Sequence, residues 1–204
     1  MNLMNIGPLS FEEYETRTVA FHGCMSPGLL IGGFMVDLAT RSLPADALYD
    51  VISESAKCLP DAVQLLTPCS IGNGWLKILK IGRFALTFYD KHSGEGIRVY
   101  LDTDKLQQWP EIRNWFLKLV PKHEQNTQLL MAKIKEAGCA ILSSRRVSID
   151  VSRFQKKKGK PISICPKCNE AYPGEHGAIC RVCAGVLGYF SEPASQQPAK
   201  MLAA

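Results

Sequence analysis

A chain of 204 residues can build one sizeable hydrophobic core and a small appendage. Its 46% hydrophobic content is that of a water-soluble globular protein, and the apolar run from Pro27 stops at Asp37, far short of the roughly 20 residues a bilayer span needs. The N-terminal stretch carries Glu12, Glu13 and Glu15 and no charged-then-apolar leader pattern, so a cytoplasmic protein without membrane association is expected.

The elements follow in chain order. Ser10 with Glu13 has capping-box spacing and opens a helix, with Phe11, Tyr14 and Thr18 on one face. Ser26 and Pro27 open a second helix, "SPGLLIGGFMVDLATRSL", whose Gly28, Gly32 and Gly33 suit close packing against another element. "ADALYDVISES" reads as a strand, and a short helix opens at Asp61 and closes at Pro68. "WLKILKI", "RFALTFYD" and "GIRVYLD" are strands rich in β-branched and aromatic residues, the last two joined as a hairpin. Two helices opened by Pro110 and Pro121 follow, the second ending at Gly138; Trp109, Trp115 and Phe116 anchor this pair on the sheet. The order predicts an α+β fold, an antiparallel sheet covered by helices, plus a small C-terminal zinc ribbon. The expected division is a core over 1–144, a basic strand and linker over 145–161, the ribbon over 162–190 and a tail over 191–204.

Cys165, Cys168, Cys180 and Cys183 form C-x2-C, eleven residues, then C-x2-C. Each knuckle presents two thiolates from a tight turn, and four thiolates meet the tetrahedral preference of zinc. So short a segment buries too little surface to fold alone, so the metal supplies its folding energy. His176, between the knuckles, is expected in solvent.

The net charge of +5 is uneven: residues 145–204 hold ten Lys/Arg against four Asp/Glu, and the rest is nearly neutral. Arg145, Arg146, Arg153, Lys156, Lys157, Lys158 and Lys160 stand just upstream of the knuckles. They are a solvated linker in the preferred interpretation, and a phosphate-contacting surface for nucleic acid or a partner in the alternative.

His22 and Cys24 precede the second helix, and Cys58 and Cys69 flank the short one. If both segments meet at one sheet edge, His22, Cys24, Cys58 and Cys69 surround a soft metal ion; alternatively Cys24, beside a helix start, is a reactive thiol. Cys139 is expected to be a small buried hydrophobe.

"FHGCMSPGLLIGG" resembles the FHGHxCPGxxxG motif of the formylmethanofuran dehydrogenase E-subunit (FmdE) family, and "DAVQLLTPCSIGNGWL" is similar to its DAIQxLTGCTxGxGNL motif. The resemblance covers roughly residues 10–140 and extends to the C-terminal four-cysteine module of many members. It implies an α+β core, commonly dimeric, with a metal-associated pocket. By position His22 matches the first motif histidine, Cys58 the cysteine before the DAIQ segment, and Cys69 the second-motif cysteine; Gln64 and Thr67 also match. The chain departs where Cys24 replaces the second histidine, Ser26 the cysteine and Pro68 a glycine. No molybdopterin signature or iron–sulfur cysteine run is present.

The expected function is therefore that of a metal-binding accessory protein, a homodimer that meets a protein partner or larger enzyme complex. It carries structural zinc in the ribbon and a second metal ion, or a thiol site, in the core. The alternatives are a nucleic-acid-binding regulator and a small metalloenzyme acting at the core site.

Overall fold

A computed structural model describes residues 4–44, 47–154 and 161–189. The chain divides into two compact units, Met1–Arg153 and Phe154–Ala204. Among the described residues no helix is long and apolar enough to cross a membrane.

In the first unit a short antiparallel pair, β1 (Asn5–Ile6) and β2 (Leu9–Ser10), leads into α1 (Phe11–His22). The capping box forms as expected: the Ser10 hydroxyl accepts from the Glu13 N–H at 3.2 Å, and the Glu13 carboxylate accepts from the Ser10 N–H at 2.8 Å. Gly23 ends α1 in the left-handed region, at φ 91°. Ser26 then caps α2 (Pro27–Arg41), accepting from the Leu29 N–H at 3.3 Å. α2 is buried along most of its length, as a helix apolar on nearly every side must be.

The α2 glycines are contact points. A Cβ on Gly32 would lie 2.8 Å from the Ala62 Cβ, and one on Gly33 would lie 2.9 Å from Ile6 and Tyr14. Gly32→Val is therefore expected to destabilise the unit by about 1–3 kcal/mol through overpacking, read as a lowered midpoint in urea unfolding at an unchanged slope.

β3 (Tyr49–Ser53), α3 (Leu59–Leu66), β4 (Leu76–Ile78), β5 (Ala85–Asp90) and β6 (Glu95–Leu101) follow. Next come α4 (Pro110–Phe116), α5 (Thr127–Ala137) and β7 (Leu142–Ser148). The main sheet runs β4-β3-β5-β6-β7. The α+β class holds, with one departure from a purely antiparallel sheet: β3 and β4 are parallel, because α3 carries the chain between them as a crossover. β3–β5, β5–β6 and β6–β7 are antiparallel.

One sheet face packs Val51, Leu86, Phe88, Val99 and Leu101 into the core with α2. Phe116 meets Phe84 at 5.8 Å between ring centroids, and Trp109 and Trp115 also pack on this core. By strand alternation the opposite face carries a polar lattice. There the Lys77 ammonium donates to Asp50 at 2.5 Å, and Arg98 donates twice to Glu54, at 2.7 and 2.9 Å.

Several boundaries move. α3 opens at Leu59 with Pro60 in its first turn, rather than at Asp61. α5 opens at Thr127, not Pro121, because the Asn126 side chain caps it by accepting from the Leu129 N–H at 3.0 Å; Lys122–Glu124 form only a 3-10 turn. The core runs past residue 144, since β7 continues pairing to Ser148 and takes Arg145 and Arg146 with it. Beyond β7 the strand does not persist: Asp150 accepts from the Ser152 N–H and hydroxyl, and Val151–Phe154 turn as a 3-10 segment. Lys156, Lys157, Lys158, Lys160 and the expected tail lie outside the described residues.

Candidate metal centre

In the second unit β8 (Ile162–Ile164) and β9 (Ala171–Pro173) form an antiparallel hairpin around the first knuckle. The Cys165 N–H donates to the Glu170 carbonyl at 2.9 Å, and the Asn169 N–H donates to the Cys165 carbonyl at 2.8 Å. Asn169 takes the left-handed conformation, φ 60°, that closes the turn. The second pair stands on its own turn, where the Ala184 N–H donates to the Cys180 carbonyl at 2.9 Å. The Tyr172 hydroxyl donates to the Gly177 carbonyl at 2.8 Å and ties down the intervening loop. His176 is exposed, as expected.

The sulfurs of Cys165, Cys168, Cys180 and Cys183 all lie within 4.8 Å of one another. A tetrahedron of zinc–sulfur bonds near 2.3 Å has edges of about 3.8 Å. The Cys168 and Cys180 sulfurs stand 3.8 Å apart, so the donor set fits zinc in size and softness. Backbone amides already point at the sulfurs: the Cys180 N–H approaches the Cys165 sulfur at 3.5 Å, and the Cys183 N–H the Cys180 sulfur at 3.4 Å. The Cys180 amide holds the Cys165 thiol down to about 6, which favours the thiolate a metal needs. Hydrogen bonds that the Cys183 thiol donates to the Cys180 and Cys168 sulfurs push Cys183 up to about 12. Cys168 is also raised: the Glu170 amide pulls it down, but desolvation and its bonds with Cys165 and Cys180 outweigh that pull.

The four core candidates behave differently. Among the described residues the convergent set of metal-type donors is the C-terminal four, and His22, Cys24, Cys58 and Cys69 do not form a second one. Cys69 is fully buried, and its thiol donates to the Tyr49 carbonyl at 3.6 Å. Burial pushes it up to about 11, so it stays protonated at neutral pH. Cys24 is exposed. The structure thus does not gather the four into one site, and α3 separates Cys58, before its first residue, from Cys69, beyond its last.

What does assemble is smaller. The His22 Nδ1, at the end of α1, meets the Asp61 carboxylate, in the first turn of α3, at 2.6 Å. Cys58 stands at the head of that same turn with φ 54°, its sulfur 3.6 Å from the Ser26 hydroxyl that caps α2. A Cβ on Gly28 would lie 2.8 Å from the Cys58 sulfur, so that glycine makes room for the thiol. The helix ends thus hold two pairs, an imidazole with a carboxylate and a thiol with a hydroxyl. Because Asp61 takes Nδ1, Nε2 is the nitrogen left for a ligand. Reading Asp61 as a helix opener hid its partnership with His22, 39 positions away along the chain.

Cys139 is half-buried and donates to the Phe34 carbonyl at 3.7 Å. Arg153 sits 3.4 Å from Asp150 on the surface, whereas Arg145 and Arg146 belong to a strand of the sheet.

Known proteins resemble the two units in turn. A family profile described as "FmdE, Molybdenum formylmethanofuran dehydrogenase operon" matches residues 21–149, and one described as "FmdE treble clef zinc finger" matches residues 156–190. The crystal structure of a tungsten formylmethanofuran dehydrogenase FmdE-like protein from Syntrophus aciditrophicus is similar at a TM-score of 0.84 and 53% identity, covering 93% of this chain and 100% of that one. A probable S-adenosyl-L-methionine-binding protein of Archaeoglobus fulgidus is 28% identical over 189 residues, 83% of this chain and 52% of that protein. The chain therefore spans about half the length of this curated relative.

Proposed function

The chain belongs to the FmdE family and carries its zinc-finger module, and from that premise we propose that it is a metal-binding accessory protein. The observation that carries this reading is the gathering of four sulfurs in a unit of their own. Structural zinc there is held by Cys165, Cys168, Cys180 and Cys183. Its binding fixes the hairpin and presents a docking surface to a protein partner. Ile162 and Ile164 support that role, since they are 67% and 68% exposed. The accessory protein acts as a homodimer, the state the family resemblance implies.

In the core, Cys58 beside the Ser26 hydroxyl offers a thiol, and His22, its ring oriented by Asp61, offers an imidazole. A soft metal ion in the core would draw on one of these donors, and it would supply Lewis acidity. Without one, Cys58 serves as a thiol between two helix starts.

Metal analysis of the full chain tests both sites. Cys165→Ser/Cys168→Ser is expected to lose about one equivalent of zinc, the capacity of one four-thiolate site. His22→Ala/Cys58→Ser then reports on the core: a further loss means a metal site, and no change assigns Cys58 to thiol chemistry. Zinc content unaffected by the first variant overturns the metal-binding reading.

A second reading is favoured by the Archaeoglobus relative, whose name gives S-adenosyl-L-methionine as its ligand. In this reading the core binds a small molecule of that kind. Calorimetric titration of S-adenosyl-L-methionine into the full chain is expected to show saturable binding, and a flat titration removes the reading.

A further inference from the structure

A cavity of about 890 Å³ lies at one margin of the main sheet, between residues 42–44 and 47–48 and the ends of β5, β6 and β7. That volume suits a drug-sized organic ligand. The cavity shares no lining residue with either cysteine site.

Its walls differ in character. Leu43, Pro44, Leu48 and Ile97 make one side apolar. Leu48 is 58% exposed, a large apolar side chain left beside open space. The rim carries both signs of charge, from Arg145 and Arg146 on β7 and from Glu95 at the start of β6.

Among the described residues these charges are uncommitted. Asp90 also lines the cavity, but its Oδ1 already accepts from the His92 N–H at 2.9 Å, the Ser93 N–H at 2.7 Å and the Ser93 hydroxyl at 3.1 Å. Arg98 stands directly opposite Arg145, but its guanidinium is taken by Glu54. Among the described residues no opposite charge lies within 4.0 Å of Arg145, Arg146 or Glu95.

The register places the groups usefully. Arg146 pairs with Ile97, two residues beyond Glu95, so Arg146, Ile97 and Glu95 share one sheet face. Diagonal neighbours such as Arg146 and Glu95 have Cα atoms about 7–8 Å apart, and a ligand with a positive and a negative group on adjacent atoms bridges such a span. A simple anion would meet Glu95 as a like charge, and an uncharged apolar molecule would desolvate the arginines with no return.

We infer that this cavity binds a zwitterionic α-amino acid with a bulky apolar or aromatic body. The carboxylate lies on Arg146, the ammonium on Glu95, and the body against Leu43, Leu48 and Ile97. This rests on the small-molecule reading above and gives it a place and a ligand class.

Three probes dissect the recognition by equilibrium titration into the full chain: L-tryptophan, tryptamine, which lacks the carboxylate, and indole-3-propionate, which lacks the ammonium. L-tryptophan is expected to bind, and removal of either charge to weaken binding by about tenfold, the worth of one charge-assisted hydrogen bond. Arg146→Gln is expected to erase the advantage of L-tryptophan over tryptamine. Glu95→Gln is expected to erase its advantage over indole-3-propionate. All substituted side chains are exposed, and circular dichroism checks that the variants fold. Binding of L-tryptophan that is unchanged in both variants overturns the cavity assignment and leaves the small-molecule reading standing. So does S-adenosyl-L-methionine binding without L-tryptophan binding, if the variants leave it unchanged. If neither molecule binds, both fall.

Discussion

Chelator-treated protein is expected to lose the ordered hairpin and knuckles of residues 161–189 while the first unit stays folded. The reason lies in what the second unit buries. Its hydrophobic cluster consists of Cys165, Tyr172 and Cys180, with Ile179, Val182 and Cys183 partly buried against it. Half of those side chains are the ligands themselves, and Ile162, Ile164, Val186 and Leu187 face solvent. So little apolar burial cannot offset the chain entropy of ordering the segment. Apparent zinc-binding energies of about 10–16 kcal/mol in small fingers are large enough to do so. Hydrogen exchange on the full-length chain checks this directly. The amides of Cys165, Asn169 and Ala184, bonded within the knuckles, should lose protection in chelator and regain it when zinc is restored. Protection that persists without metal contradicts the prediction. The pH dependence has a definite sign. Cys168 and Cys183 are raised, the latter to about 12, and hold protons that zinc must displace. Zinc affinity therefore rises with pH and falls on acidification, with proton release on binding as its signature.

Much of this was legible because it is local. The Ser10–Glu13 box, the Ser26 cap with Pro27, and the doubled C-x2-C each declare themselves within a few residues. The α2 glycines were legible as packing positions, although the partners Ala62, Ile6 and Tyr14 were not. Failures came where distance along the chain matters. Cys69 lies only a short helix away from Cys58, yet α3 carries it to the carbonyl of Tyr49 on β3. The His22–Asp61 contact joins residues 39 positions apart, and no local pattern encodes it. The parallel β3–β4 pair follows from α3 acting as a crossover, which becomes visible only once the strands are seated in one sheet. Pro121 looked like a helix start because proline is at home there, but Asn126 offered a side-chain acceptor and won. The polar lattice beyond the core was also unread: Glu54, Arg83 and Arg98 are scattered in sequence and meet only in the folded sheet.

That lattice sets the second large effect. Glu54→Ala is expected to destabilise the first unit by roughly 3–5 kcal/mol, the cost of removing one partner of a buried ion pair. The Glu54 side chain is 6% exposed and that of Arg98 is 11% exposed, so the arginine left behind cannot turn to water without disturbing the sheet. It would also remain directly opposite Arg145, with no carboxylate to offset the two like charges. Arg83 provides the control. It reaches the same carboxylate at 2.6 Å, but its side chain is 59% exposed, so Arg83→Ala is expected to cost no more than about 1 kcal/mol. Urea unfolding of the three proteins near neutral pH tests the contrast; equal losses from the two substitutions would show that Arg98 is not the buried partner that matters. Acid adds an independent arm. Hydrogen bonds from Arg98, helped by its charge and that of Arg83, hold the Glu54 carboxyl below its ordinary value of 4.5 despite desolvation. A carboxyl depressed on folding stabilises the native state above its unfolded value, and that contribution disappears as pH falls through the lower folded value. The gap in stability between the parent protein and Glu54→Ala should therefore be full near neutrality and shrink below about pH 4.5. A gap that stays constant across this range would assign the loss to packing instead of charge.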